Sequence, residues 1–312
     1  MSASSPTLKK GAALGLAVAA SIAIAACGSS SPSKGSNPLG GGSASKTVVI
    51  GSANFPENEL LAQIYSLALS AKGVKVTDKF NIGAREVYYP EIKKGAVTII
   101  PEYNGALLTT SVDPKSTAAS TQAVDAALSS DLPSTLEILS PSSAQDKDSV
   151  TVTQAFAKAH HLTSIGQLAP LAKNMVFGGP PEFQTRADGL PGLQKNYGLK
   201  FKKFDQLDES GPITLAALTD GKVQAADVFT TTPQIITDHL VSLNDPKFNF
   251  AAQNVVPLVY KPKLTPTITS VLNAISAKLT TQALLQMDTA VVTDHANYST
   301  VAEGFLKAEG LS

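Results

Sequence analysis

The sequence has no tryptophan, a single cysteine and a formal net charge of zero, with only 16% of its 312 residues charged. Without a basic excess there is no electrostatic footprint for phosphates, which excludes nucleic acid as a partner. A lone thiol excludes an intrachain disulfide. After residue 26 no apolar run approaches the roughly 18 residues of a spanning helix. Equally absent are the G-x-S-x-G elbow, the H-E-x-x-H zinc motif, the Walker loop and G-x-G-x-x-G, which removes the readily recognised hydrolases, zincins and nucleotide enzymes. His160 and His161 adjoin at the end of TQAFAKAHH, where a cationic helix cap is their ordinary use, and His239 and His295 stand apart. No group has ligand spacing, so neither metal nor other cofactor is expected.

What is present begins at the N-terminus. Lys9 and Lys10 precede the alanine-rich apolar run Gly11–Ala26, too short to span a bilayer comfortably and typical of an export signal. The run ends in IAAC, which resembles the bacterial lipobox and makes Cys27 the expected lipid attachment point. Residues 28–46 are mostly Gly, Ser and Pro, with little to bury. Residues 1–26 thus read as a lipoprotein signal peptide and 27–46 as a tether reaching on the order of 25 Å. The expected location is the extracytoplasmic face of the cell membrane, held by lipid alone.

A chain of this length exceeds what one core organises well, so two domains are expected. From Thr47 onward strands and helices alternate: TVVIGSANF, a helix opening at Pro56 with Leu60, Ile64, Leu67 and Ala71 on one face, VKVTDKFNIG, a helix over about 85–94, and AVTIIPEYNG broken at Pro101. A second series follows from SVTVT (149–153) to KVQAADVFTT (222–231), and then VVPLVY (255–260) and three helices too poor in strands to form a domain. The pattern predicts an α/β fold with parallel sheets, lobe 1 at 47–147 and 255–312, and lobe 2 at 148–254. Its two connections would act as a hinge, with ligands at the carboxyl ends of strands. Tyr103 in PEYNG and Phe229 in DVFTT fall there, each either a core plug or a face for a cationic or planar ligand.

Four blocks, IGSANFPENELLAQIY (50–65), KGAVTIIPEYNGALL (94–108), MVFGGPPEFQTRADGLPGLQKNYG (175–198) and ALTDGKVQAADVFTT (217–231), resemble in order the glycine betaine, choline and osmoprotectant-binding proteins of ABC importers. The resemblance implies a type II periplasmic-binding-protein fold that closes two lobes on a small-molecule ligand, works as a monomer without enzymatic chemistry and delivers to a permease. It implies ligand contacts at Ser52, Asn54, Asn58, Arg85, Tyr103, Asp148, Glu182, Arg186, Phe229, Thr230 and Gln253. Departures matter too. Ala53 replaces a carboxylate-binding lysine, and Asp148 and Gln253 stand where cage tyrosines are expected, leaving Arg186 to act alone or pair with Glu182 or Asp148. Loss of two cation–π walls points away from glycine betaine toward a polyol, sugar derivative or phenolic compound, with an amine left open by Asp148. A sensing or scavenging module without transport, or an exported enzyme using Asp148, Glu182 and Arg186, are the competing readings.

Overall fold

The computed structural model describes residues 47–312. The expected signal peptide, Cys27 and the tether lie outside the described residues.

The first β-α series comprises β1 (Val48–Gly51), α1 (Pro56–Ala71), β2 (Val76–Lys79), α2 (Arg85–Lys93), β3 (Ile99–Tyr103), α3 (Asn104–Leu107), α4 (Thr121–Asp131) and β4 (Leu136–Ile138). The second comprises β5 (Val150–Thr153), α5 (Gln154–Ala159), β6 (Val176–Gly179), α6 (Leu190–Tyr197), β7 (Lys203–Gln206), α7 (Pro212–Thr219), β8 (Ala225–Asp227), α8 (Gln234–Thr237) and β9 (Leu240–Ser242). The chain ends with β10 (Val255–Tyr260), α9 (Pro266–Lys278), α10 (Thr281–Asp288) and α11 (Tyr298–Ala308).

Two five-stranded sheets result, ordered β2-β1-β3-β10-β4 and β7-β6-β8-β5-β9. The orders are equivalent: in each, three parallel strands are followed by one antiparallel strand that crosses from the other series, and then by an edge strand. The sheets are therefore mixed, not parallel as the alternation suggests. A strand arriving from the opposite lobe enters its sheet from the far end and must run backwards through it.

Local chemistry explains the element boundaries. Pro56 occupies the first turn of α1, Glu57 and Glu59 sit at its positive end, and Gly73 takes a left-handed φ of 76° beyond it. The buried face of α1 carries Leu60, Leu61, Ile64, Tyr65, Ala68 and Leu69, while Ala71 is exposed. Ser164 and Gln167 form a capping box at the short turn of helix that precedes β6. Pro101 does not break its strand. It lies opposite Pro257 of β10, and in an antiparallel pair alternate positions exchange no hydrogen bonds, so neither missing N–H is needed there. The freed carbonyls are used elsewhere: Pro257 accepts from the Leu139 N–H and Pro101 from Asn58 Nδ2.

One large apolar core lies around the first sheet and the C-terminal helices, with two smaller ones around the second sheet. The two crossings run side by side. Asp146 N–H donates to the Gln253 carbonyl and Val255 N–H to the Ala144 carbonyl, joining them as a short antiparallel ribbon around the Gln145–Asn254 bridge. Gly105 lies directly beneath this ribbon, where a Cβ would collide with the Ala252 carbonyl. Among the described residues no helix is long and apolar enough to cross a membrane.

Candidate functional site

The carboxyl ends of the parallel strands from both lobes face one another across a closed cleft. Phe55 follows β1, Arg85 opens α2, and Tyr103 ends β3. From the other side Arg186 follows β6, Glu209 follows β7 and Phe229 follows β8, while Asp146, Asp148 and Gln253 come from the crossings. These residues and Ala106 line a cavity of about 30 Å³, room for little more than water. A ligand of even a few heavy atoms needs the lobes to part.

One wall is aromatic. The Phe55 ring lies 6.0 Å from that of Tyr103 and meets Phe229 edge-on at 5.2 Å. Phe55 and Tyr103 belong to the first series and Phe229 to the second, so this contact spans the cleft. The Tyr103 hydroxyl donates to Glu57 Oε1 over 2.5 Å and Thr231 Oγ1 donates to Glu57 Oε2 over 2.6 Å, tying the start of α1 to the loop after β8.

Both guanidiniums that line the cavity are already engaged. Arg85 forks onto Glu102 through Nε (2.9 Å) and Nη2 (3.0 Å), and Glu102 also accepts from the Tyr88 hydroxyl and the Tyr103 N–H. Burial works against the Arg85 charge, but Glu102 outweighs it and holds the guanidinium more firmly protonated than usual. Arg186 forks across the cleft onto Glu86 through Nε (3.0 Å) and Nη2 (3.1 Å), with Glu209 Oε1 at 4.0 Å. Its partner is thus Glu86, not Glu182 or Asp148. Thr109 Oγ1 donates to Asp188 Oδ2 over 2.6 Å and adds another contact between the lobes.

Carboxyls remain in surplus. Asp146, Asp148 and Glu209 line the cavity, while the carboxylates that answer its two arginines, Glu102 and Glu86, do not. Burial pushes the Glu209 carboxyl up to about 7, and Arg186 pulls it back only in part. Burial, followed by the nearby Glu57, holds Asp146 well above the usual carboxylate range. Beside Asp148, Asp227 is fully buried with no donor on either oxygen; burial and then Asp148 push it well up, so it keeps its proton. Such a site suits a positive charge.

Six of the residues expected from sequence meet at the cavity: Arg85, Tyr103, Asp148, Arg186, Phe229 and Gln253. Asp148 and Gln253 bond to each other over 2.9 Å. Ser52 is buried in the turn after β1 and Asn58 in the first turn of α1; Ser52 Oγ accepts from the Asn81 N–H and Asn58 joins the Ala53 N–H to the Pro101 carbonyl. Asn54 is exposed, Glu182 is half-buried in the short turn of helix after β6, and Thr230 caps the crossing at Lys147 N–H and Asp146. None of these five lines the cavity. Sequence reasoning missed Phe55, Ala106, Asp146 and Glu209 as lining residues and Glu86 as the partner of Arg186. Phe55 carried a usable signal, since it ends the loop after β1 where Tyr103 ends β3.

The family described as the substrate binding domain of ABC-type glycine betaine transport systems matches residues 46–308. The glycine betaine-binding protein YehZ of Escherichia coli (strain K12) is 28% identical over 86% of this chain and 92% of its own length. The ergothioneine transport permease/ergothioneine binding protein EgtU of Helicobacter pylori (strain G27) is 23% identical over 85% of this chain, which spans 48% of that longer protein. A solved glycine betaine/carnitine/choline ABC transporter structure superposes with a TM-score of 0.66 at 20% identity, covering 85% of this chain and 99% of its own, and carries the fold comparison.

The buried carboxyls set a pH dependence. Between the ordinary Glu value of 4.5 and about 7 the folded protein holds a proton on Glu209 that the unfolded chain has released. Unfolding therefore releases protons, and stability falls as pH rises through that window, by roughly 3 kcal/mol from this one group. Thermal unfolding without ligand should give a higher midpoint at pH 5 than at pH 8, and Glu209→Gln should flatten the difference. An equal or higher midpoint at pH 8 contradicts this.

Proposed function

Because the chain belongs to the family of substrate-binding domains of ABC-type glycine betaine transport systems, we propose that it captures a small organic cation or zwitterion and presents it to the transporter's permease. The observation that carries the ligand class is the aromatic wall of Phe55, Tyr103 and Phe229 set against a surplus of carboxyls. A ring face attracts a cation whether or not that cation can donate hydrogen bonds, and a carboxylate adds charge. Glycine betaine, the ligand named for the Escherichia coli relative, carries such a group in its trimethylammonium.

This reading departs from the polyol, sugar derivative or phenolic compound expected on sequence and follows the amine that Asp148 left open. Asp148 and Gln253 offered donors and acceptors to hydroxyl groups, but they satisfy one another, and both guanidiniums are held by Glu102 and Glu86. What is left over in the cleft is a surplus of carboxyls, which a cation can ionise by displacing their protons, and aromatic surface.

Capture follows from the geometry. The lobes part at the paired crossings, the ammonium enters between Phe229 and the Phe55–Tyr103 pair, and closure restores the Arg186–Glu86 fork. The ligand favours the closed state by the difference between its affinities for closed and open protein. Outside the described residues, Cys27 provides the lipid anchor and residues 28–46 the tether that keep a monomeric binding protein beside its permease. A cation and a proton compete for Glu209, so binding releases protons.

Calorimetric titration with choline and with glycine betaine tests the ligand class. Binding should weaken by about two- to thirtyfold in Phe229→Ala, the size of one cation–π contact of about 0.5–2 kcal/mol. Unchanged affinity in the variant, or no binding of either compound to the unaltered protein, overturns the reading. For the anchor, fatty-acid labelling in a bacterial host should mark the protein and vanish in Cys27→Ser; label retained in the variant places the lipid elsewhere.

A further inference from the structure

Beside the small cavity lies a much larger chamber of about 540 Å³ that shares Phe55, Phe229, Asp146 and Glu209 with it. The remaining walls come from the start of α1, the loop into α7, the loop from β8 into α8, and the segment after α10. Its apolar surface includes Leu215 and Val292, and its outer rim, at Thr237, Asp238 and His295, is exposed.

The polar inventory of this chamber is one-sided. Five carboxyls line it, Glu57, Asp146, Glu209, Asp238 and Asp288, and no lysine or arginine does. Asp288 is only 3% exposed and its carboxyl shares a hydrogen bond with that of Glu57, yet its Oδ1 has no further partner, and Oε2 of Glu209, whose side chain is 8% exposed, has none either. The hydroxyl donors nearby are committed: Thr231 donates to Glu57, Ser210 and Thr232 pair with each other, and Thr237 donates to Asp238. A buried acceptor without a donor costs free energy, so these two oxygens are spare acceptors facing a ligand that could donate to them. An anion would meet five carboxyls and no lysine or arginine. A quaternary ammonium would bring charge but leave both oxygens unsatisfied, because it has no N–H.

We propose that this chamber is a second ligand subsite, selective for a protonated amine with several N–H donors on an apolar chain, open at its exposed rim and sharing a wall with the interlobe cavity. The ammonium supplies donors to Asp288 Oδ1 and Glu209 Oε2, and methylene groups lie against Phe55, Phe229, Leu215 and Val292. The chain would thereby accept alkylamines in addition to the fully methylated cations that suit the aromatic wall. This rests on the cleft being the ligand site.

Titration calorimetry with 1,4-diaminobutane and with its bis(trimethylammonium) counterpart separates N–H donation from charge. The diamine should bind the unaltered protein at least tenfold more tightly than the methylated compound. Asp288→Asn, nearly the same shape, should weaken the diamine by tenfold or more while leaving choline within twofold. Val292→Trp, which fills the chamber from its half-exposed wall, should do the same and serves if the first variant does not fold. Equal binding of diamine and methylated compound, or diamine affinity unchanged in both variants, overturns the subsite. Choline bound without diamine removes only this inference; binding of neither removes the reading of the cleft as well.

Discussion

The organising constraint of this molecule is an imbalance of charge in a nearly dry place. The cavity between the lobes presents two guanidiniums and three carboxyls, and each guanidinium is already answered by a carboxylate outside the cavity. Charges removed from water are costly unless paired. The protein meets that cost in part by keeping protons on carboxyls such as Asp227 and Glu209, and a cation of suitable size relieves it more completely. Ligand class, pH response and closure therefore share one cause.

The fold supplies this arrangement by doing the same thing twice. Both sheets use an equivalent strand order, so both lobes offer loops at the carboxyl ends of parallel strands to the same gap. The antiparallel strands that break the parallel pattern are those reached through the crossings, and the crossings are bonded to each other over Gly105. Direct links between the lobes are few and polar, namely Arg186–Glu86, Thr109–Asp188 and Thr231–Glu57, with Phe55 on Phe229 as the apolar one. A small number of reversible bonds is what a closing device requires, since each must be remade whenever the lobes meet.

Much of this was legible in the sequence and some was not, for identifiable reasons. Pro56 and Pro212 announced helix starts, Gly198 and Gly221 announced helix ends, and the strand ends at Tyr103 and near Phe229 pointed to the cleft. Pro101 misled, because its missing N–H is harmless only at a non-hydrogen-bonded position of the ladder with β10, a strand more than 150 residues away whose register no local pattern reveals. Arg186 was found but its partner was not: Glu86 lies one hundred residues earlier on the other lobe. Ser52 and Asn58 flank the right loop, one in it and one at the start of α1, yet short polar side chains there serve the backbone first, as the Ala53 N–H and Pro101 carbonyl show. The two substituted positions, Asp148 and Gln253, had suggested hydroxyl partners, whereas their contact with each other leaves charge as the dominant feature.

The central claim is that positive charge, not shape or hydroxyl content, is what the cleft selects. Choline and its neutral carbon isostere, 3,3-dimethylbutan-1-ol, have nearly the same shape and the same hydroxyl group, and differ in the charge of one atom. Titration of both into the protein at neutral pH tests the claim most directly. Choline binding at least tenfold more tightly than the neutral alcohol is the result the account predicts; equal affinity for the two, or preference for the alcohol, contradicts it.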